Sequence, residues 1–477
     1  MNTMKKLKVV FLPSPGIGHL VSTVEFAKCL LIRDGRFSIT VITMTAPFAN
    51  TRAYTESVAA SVPGIQFIDL PQVNLPAGPE TQSGEAFLSL FIENHKPHVK
   101  HTIINHISSE SKSDSLQLAG LFVDFFTTTM IDVANELGIP AYLYFTSGAA
   151  MLGLMLHLQT LHEEIAIDLK DYTGELRIPS FLNSVPPLVL PSVLLDRKGS
   201  GYAWFLYHAR RFKETKGIVV NTFSELEPHA LNSFSDGQNP AIYSVGPVLD
   251  LQGQTHSQSD RAGHDKIMKW LDKQPPSSVI FLCFGSWGAF GSAQVKEIAD
   301  GIERSGYRFL WSLRQPSSAG FNPPSDYTNL DGVLPEGFLE RTDGKGLVCG
   351  WTPQVAVLAH HAIGGFVSHC GWNSVLESLW FGVPIAVWPL YAEQKLNAFE
   401  LVKELGLAVE IREGGGGDDM VVVAEEVERG VRSVMDGDNE VRKRVQEMGE
   451  NSRKSVMEGG SSFASFGRLI KDLMERI

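Results

Sequence analysis

Residues Trp351 to Gln394 read WTPQVAVLAHHAIGGFVSHCGWNSVLESLWFGVPIAVWPLYAEQ, and the fold follows from how this stretch alternates. An apolar, partly β-branched run, Ala362 to Val367, leads into the polar turn His369 to Ser374, and an amphipathic run, Val375 to Phe381, comes after it. That order is strand, turn, helix. A helix start after His369 offers unpaired backbone N–H groups and the positive end of the helix dipole, with Asn373 and Ser374 as first-turn donors, so an anionic ligand of phosphate type is expected there. Trp351 supplies a flat face for a base, Gln354 an amide edge, and Glu377 a carboxylate able to accept from both hydroxyls of a ribose.

The same alternation runs outward in both directions. Short β-branched runs separated by amphipathic helical runs are the mark of parallel sheets wrapped by helices. A first series comprises Lys8 to Leu12, a helix from about Leu20, Ser38 to Ile42, Leu118 to Val123 and Ala141 to Phe145. A second comprises Ser278 to Phe284, Arg308 to Leu313, Gly346 to Cys349, Gly364 to Ser368 and Ile385 to Val387. Between them, Asp250 to Asp265 is polar and lacks apolar periodicity, which reads as an exposed interdomain linker. The fold class is α/β with two Rossmann-like domains: 1–249, a linker over 250–265, and 266–455, followed by a C-terminal helix over 456–477.

With 477 residues the chain exceeds what one core supports. A formal net charge of −12 argues against nucleic acid or an anionic membrane surface as partner. Cys29, Cys283, Cys349 and Cys370 stand singly, with no CxxC and no disulfide-framework spacing, and read as buried thiols of a reducing compartment. The apolar run near the N-terminus, Val9 to Leu12, is too short for a signal-peptide core. The longest apolar stretch, Ala141 to Leu158, is interrupted by Thr146, Ser147, Gly148 and His157, against a membrane span. A cytoplasmic monomer is expected.

In an open α/β sheet the carboxyl ends of the strands carry the ligand, so the turn Pro13 to His19 after the first strand is a second candidate site. GIGHLV has G-x-G but Val21 where a dinucleotide fingerprint needs its third glycine, and Thr43 to Thr45 offers no ribose-binding acid. An NAD-dependent oxidoreductase is therefore disfavoured. His19 is the side-chain type that removes a proton near neutral pH. Asp124, directly after the strand LAGLFV, is placed to accept the other ring N–H and fix its tautomer. The plainer alternative makes His19 a polar helix-start residue and Asp124 a turn former.

The motifs WxPQ, HCGWNS, Glu377 and Glu393-Gln394, in that order, resemble the signature box of plant secondary-product glycosyltransferases, which use UDP-sugars. The resemblance continues from the N-terminal PSPGIGH to the C-terminal EGGSS. It implies the GT-B arrangement, two Rossmann-like domains whose parallel sheets face a cleft, with acceptor bound by the first domain, UDP-sugar by the second, and the C-terminal helix returning to the first. It further implies Trp351 as the uracil stacker with Thr352 and Gln354 beside it, His369, Asn373 and Ser374 as diphosphate ligands, and Glu377 as ribose ligand. Trp372, Glu393 and Gln394 would face the sugar, with Thr146 in FTSGAA reaching it across the cleft. The family's His and Asp pair falls on His19 and Asp124. The implied reaction is inverting transfer, from UDP-glucose, to a hydroxyl, or an N or S nucleophile, of a flavonoid, other phenol or non-aromatic acceptor such as a triterpenoid. A UDP-sugar binder without turnover would need neither His19 nor Asp124.

The remaining residues are read more plainly. Ser286, in CFGSW after a strand, is a further phosphate donor. Trp287 stands where relatives carry a smaller or more flexible side chain, and packing beneath the following loop is expected. Phe87, Phe91, Phe125, Phe126, Met155, Trp204 and Tyr391 are candidates to line an apolar acceptor slot, with core packing the alternative for each. No metal and no cofactor is expected: His360 and His361 sit at a helix end away from His369 and Cys370, and Asp436-Gly437-Asp438 reads as a solvated turn between helices rather than a cation site. Gly414 to Gly417 reads as a surface loop.

Overall fold

The computed structural model describes residues 6–46, 51–76, 82–107, 116–235, 237–253, 258–317, 323–412, 420–437 and 439–475. The chain divides into two compact units, Met1–Leu249 with Lys454–Ile477, and Asp250–Arg453.

The first unit is built on seven parallel strands: β1 (Lys6–Leu12), β2 (Phe37–Thr43), β3 (Ile65–Asp69), β4 (Leu116–Val123), β5 (Ala141–Phe145), β6 (Gly217–Val220) and β7 (Ala241–Ser244), in the order β3-β2-β1-β4-β5-β6-β7. Helices cover both faces, so β1 is buried from Leu7 to Leu12 and its sequence, LVVFL around a buried Lys8, is nearly continuous in apolar residues. The helix Ser461–Met474 completes this core: Phe466, Leu469 and Leu473 join Leu7, Phe26 and Tyr243, while Arg33 lies 3.3 Å over the Phe463 ring.

The second unit holds six parallel strands, β8 (Val279–Cys283), β9 (Arg308–Ser312), β12 (Gly346–Cys349), β13 (Ile363–Ser368), β14 (Ile385–Val387) and β15 (Ala408–Glu410), in the order β12-β9-β8-β13-β14-β15. A two-stranded antiparallel pair, β10 (Arg314–Gln315) and β11 (Ser325–Asp326), lies apart from it. Both sheets therefore reverse strand order beside their first strand, between β1 and β4 and between β8 and β13. These are the switch points at which such sheets bind ligands.

Two expectations are corrected. The expected linker 250–265 is half helical: Gln258–Leu271 is a helix whose apolar anchors Ile267 and Leu271, both buried, lie past the polar stretch that suggested a linker. Residues 254–257 lie outside the described residues, as do Gly414 to Gly417 and Asp438. The first helix starts at Ile17 rather than near Leu20, which puts His19 on its first turn. Among the described residues no helix is long and apolar enough to cross a membrane.

Candidate active site

In the first unit, β1 and β4 pair in parallel to their ends, Leu12 opposite Val123. The residues that follow them are thereby neighbours although more than a hundred positions apart. His19 Nδ1 and an Asp124 carboxylate oxygen are 2.8 Å apart, and the same oxygen accepts the Ser14 N–H at 3.0 Å. The other oxygen accepts the N–H of Phe125, so Asp124 caps the short 3-10 helix Phe125–Met130. Thr127 braces the corner: its hydroxyl donates to the Leu12 carbonyl at 2.9 Å and accepts the Asp124 N–H at 2.7 Å.

Asp124 is fully buried, which alone would raise its pKa. The facing His19 charge, the His19 hydrogen bond and the Ser14 and Phe125 N–H groups outweigh burial and hold the carboxyl below its ordinary value. The Asp124 side chain is 2% exposed and that of His19 34%. With Nδ1–H directed at a carboxylate, the neutral ring accepts protons through Nε2. Thr146 follows β5 and sets its hydroxyl 3.4 Å from His19 Nδ1, beside the same pair.

Of the first-unit aromatic candidates, Phe125, Phe126 and Trp204 gather around one side chain that sequence reasoning missed, His208. Its ring centroid is 5.8 Å from those of Phe125 and Phe126 and 5.5 Å from that of Trp204. His208 is bonded to Ser89 at 3.0 Å and Thr128 at 2.7 Å, and burial pushes its pKa down to about 3. It is a buried, neutral partner of these rings, and nothing local in the sequence marks it. Phe87, Phe91 and Met155 are 6%, 1% and 0% exposed. Their burial fits the core-packing alternative, and Phe125, at 7%, is scarcely more exposed. Tyr391, 40% exposed, belongs to the second unit and to the turn before Glu393.

In the second unit, β8 and β13 pair with Cys283 opposite Ser368, so Gly285-Ser286 and His369-Cys370 emerge side by side. Gly285 has φ +75°, and a Cβ there would stand 2.4 Å from His369 Nε2. Only glycine lets these two turns approach. His369 is buried, and burial lowers its pKa to about 4, so it is neutral. Its Nδ1 finds no hydrogen-bond partner among the described residues, a cost that a ligand acceptor would relieve. The helix Trp372–Phe381 begins directly afterwards at Gly371 with no side-chain cap. The ten-residue helix thus points its positive end into the same place.

Gln354, on the helix Gln354–Leu358, donates its amide N–H groups to Ser374 at 2.8 Å and Glu377 at 2.7 Å. Three residues expected to contact base, phosphate and ribose are thereby one bonded set. Burial, opposed by the Gln354 hydrogen bond and reinforced by Asp250, pushes the Glu377 carboxyl up to about 7. Trp351 is 37% exposed, its backbone N–H donating to the Asp326 carboxylate at 3.1 Å. Thr352 turns its hydroxyl inward to Cys283 Sγ at 3.9 Å, and Trp372 is 3% exposed. Both side chains are as buried as His369 and Ser374. Gln394 is also buried, and its carbonyl oxygen accepts the N–H groups of Leu390 at 2.9 Å and Tyr391 at 3.0 Å. Ser286 is exposed. So is Trp287, at 40%, which overturns its expected packing. Cys370 and Ala392, with φ +65° and +54°, bend the two turns on either side of this site, a feature no sequence pattern announced.

Among the described residues no three His, Cys, Asp or Glu side chains converge as metal ligands. His360 and His361 stack on each other, with His360 3.3 Å from Asp272.

The family model described as UDP-glucoronosyl and UDP-glucosyl transferase matches residues 215–441. A UDP-glycosyltransferase of Malus domestica is 55% identical over 99% of this chain and 99% of its own. The chain belongs to the UDP-glycosyltransferase family. This glycosyltransferase is also 51% identical, over 98% of its length and 99% of the relative's, to UDP-glucose flavonoid 3-O-glucosyltransferase 6 of Fragaria ananassa. Among solved structures it is similar to a UGT of Medicago truncatula complexed with UDP-glucose, with TM-score 0.87, 48% identity and 98% of both chains covered. A ugt transferase from Siraitia grosvenorii in complex with UDP gives TM-score 0.86 at 47% identity, covering 98% and 100%. The enzyme is a UDP-dependent glucosyltransferase of the GT-B fold class.

Proposed function

We propose that this enzyme inverts the anomeric carbon of UDP-glucose, transferring glucose to a hydroxyl of a small apolar plant metabolite of flavonoid or other phenolic type. The observation that carries the chemistry is the 2.8 Å bond between His19 Nδ1 and buried Asp124 at the switch point of the first sheet. As the acceptor oxygen bonds to C1, its proton passes to His19 Nε2, and Asp124 stabilises the imidazolium. The bond from C1 to the diphosphate oxygen breaks on the opposite face, so an α-linked donor gives a β-glycoside. The charge left on UDP falls to His369, Asn373, Ser374 and the helix start behind Gly371, with Ser286 adding a hydroxyl. Trp351 stacks the uracil, Glu377 takes the ribose, and Glu393, Gln394 and Thr146 read the sugar. Because these donors are neutral groups and a helix dipole, no metal takes part.

Phe125 and Phe126, immediately after Asp124, and Trp204, which meets the same His208 ring, favour a planar acceptor. So do the relatives, among them the flavonoid 3-O-glucosyltransferase and the Anthocyanidin 3-O-glucosyltransferase 1 of Manihot esculenta. The four cysteines are free thiols, as suits a cytoplasmic enzyme. Incubation with UDP-glucose and a panel of phenols, flavonoids and triterpenoids tests the reading: UDP release with phenolic acceptors and a β-glucoside product supports it. Turnover confined to non-aromatic acceptors, or an α-glucoside, overturns it.

A further inference from the structure

Cys370 is the residue at which the chain leaves β13 and turns into the helix Trp372–Phe381. It is fully buried and sits at φ +65°. A non-glycine residue holds the left-handed region only where its surroundings over-determine it. Here the surroundings are identifiable. Ser368 Oγ accepts the Cys370 N–H at 3.2 Å, and the Cys370 thiol donates to the Ser368 carbonyl at 3.5 Å. Both bonds are local to the turn. A third comes from another element: Asn397 Nδ2 donates to the Cys370 carbonyl at 3.0 Å.

Asn397 is 1% exposed and lies on the helix Gln394–Phe399, which starts directly after Glu393. Its own N–H bonds to the Glu393 carbonyl at 3.0 Å. Gln394, one turn earlier, clamps the Leu390 and Tyr391 N–H groups on the far side of Ala392, itself at φ +54°. One short helix therefore grips both left-handed turns, the one that starts the diphosphate-facing helix and the one that carries Glu393.

We infer that Asn397 is a positioning residue for donor binding: it holds Cys370 in the left-handed shape that aims the Gly371 helix start at the diphosphate, and ties that turn to the sugar-reading turn. The inference rests on the reading of His369 to Ser374 as the diphosphate site. Asn397 touches no substrate; it acts through the Cys370 carbonyl.

The test is a double-mutant cycle on the full-length enzyme, with UDP affinity by calorimetry, KM for UDP-glucose and for the acceptor, and the thermal midpoint. Asn397→Leu keeps side-chain size and removes the donor. It should weaken UDP binding and raise KM for UDP-glucose by roughly tenfold to a hundredfold, leaving KM for the acceptor within about twofold. Glycine adopts the left-handed region unaided, so adding Cys370→Gly should restore most of the lost affinity. A merely structural buried amide would not be rescued in this way. UDP affinity of Asn397→Leu close to that of the wild type overturns the inference, and so does a loss undiminished in the Cys370→Gly background. Where Asn397→Leu does not fold, the double variant decides alone: near-native UDP binding supports the role, while failure to fold or bind assigns Asn397 to core stability and overturns it. Absence of UDP binding by the wild type is a separate result that would refute the diphosphate reading itself.

Discussion

Glu377 shows how one side chain's surroundings set a measurable response. Burial holds its carboxyl near 7, so around pH 5.5 it is mostly protonated, and a protonated acid accepts poorly from ribose hydroxyls. A group whose pKa is raised in the free enzyme and whose ionised form binds ligand releases a proton on binding. UDP affinity should therefore rise with pH through about 7, and Glu377→Gln should flatten that part of the profile. The comparison cancels the titration of UDP itself, and identical profiles would remove Glu377 from the ribose. Gln394 carries a second prediction. Its carbonyl oxygen is already engaged by Leu390 and Tyr391, so toward a sugar it offers N–H donors only, with Glu393 as the acceptor. An axial hydroxyl, as at C4 of galactose, leaves one of these groups unpaired, at about 1–3 kcal/mol. UDP-galactose should then lose roughly tenfold to a hundredfold in kcat/KM against UDP-glucose, and a galactose preference would refute the assignment.

At the scale of elements, both candidate sites are strand-end turns brought together by parallel pairing. The turn after β8 depends on Gly285: a methyl group there meets His369 at 2.4 Å and must adopt φ +75°. Gly285→Ala should cost about 1–3 kcal/mol in strain and weaken UDP binding more than acceptor binding. Equal effects on both, by calorimetry, would mean that the turn serves folding alone. This scale also shows what the sequence could tell. The strand, turn and helix order around His369 was legible because the burial of both sheet faces writes itself as unbroken apolar runs. His19 and Asp124 were legible as strand-end residues. The strands β3, β6, β7 and β15 were not singled out; β3, β7 and β15 are only partly buried, so their sequences lack the unbroken apolar run of a central strand. The burial of Thr352 and Trp372, the exposure of Trp287 and the gathering of aromatic rings around buried His208 depend on packing between elements distant in sequence, which no local pattern records.

Over the whole molecule, the proposed function places the chemistry of each sheet where its strand order reverses: a base with its orienting acid in one unit and a neutral anion cradle in the other. If a helix start and neutral donors suffice for the leaving diphosphate, exhaustive chelation should leave turnover unchanged within about twofold. Loss of activity on chelation, restored by magnesium or manganese, would instead implicate a cation, with Asp436 the first residue to examine.

The central claim is that His19, oriented by Asp124, is the base of an inverting glucosyl transfer whose donor is held elsewhere in the chain. Both Asp124 oxygens accept from N–H donors, so Asp124→Asn turns an amide N–H₂ against one of them and should slow turnover, but the direct measurement is on His19. In the His19→Ala variant, kcat for a phenolic acceptor with UDP-glucose should fall by about 10² to 10⁴-fold, while the calorimetric Kd for UDP stays within about twofold of the wild type. Undiminished turnover, or a parallel loss of UDP binding, would contradict the account.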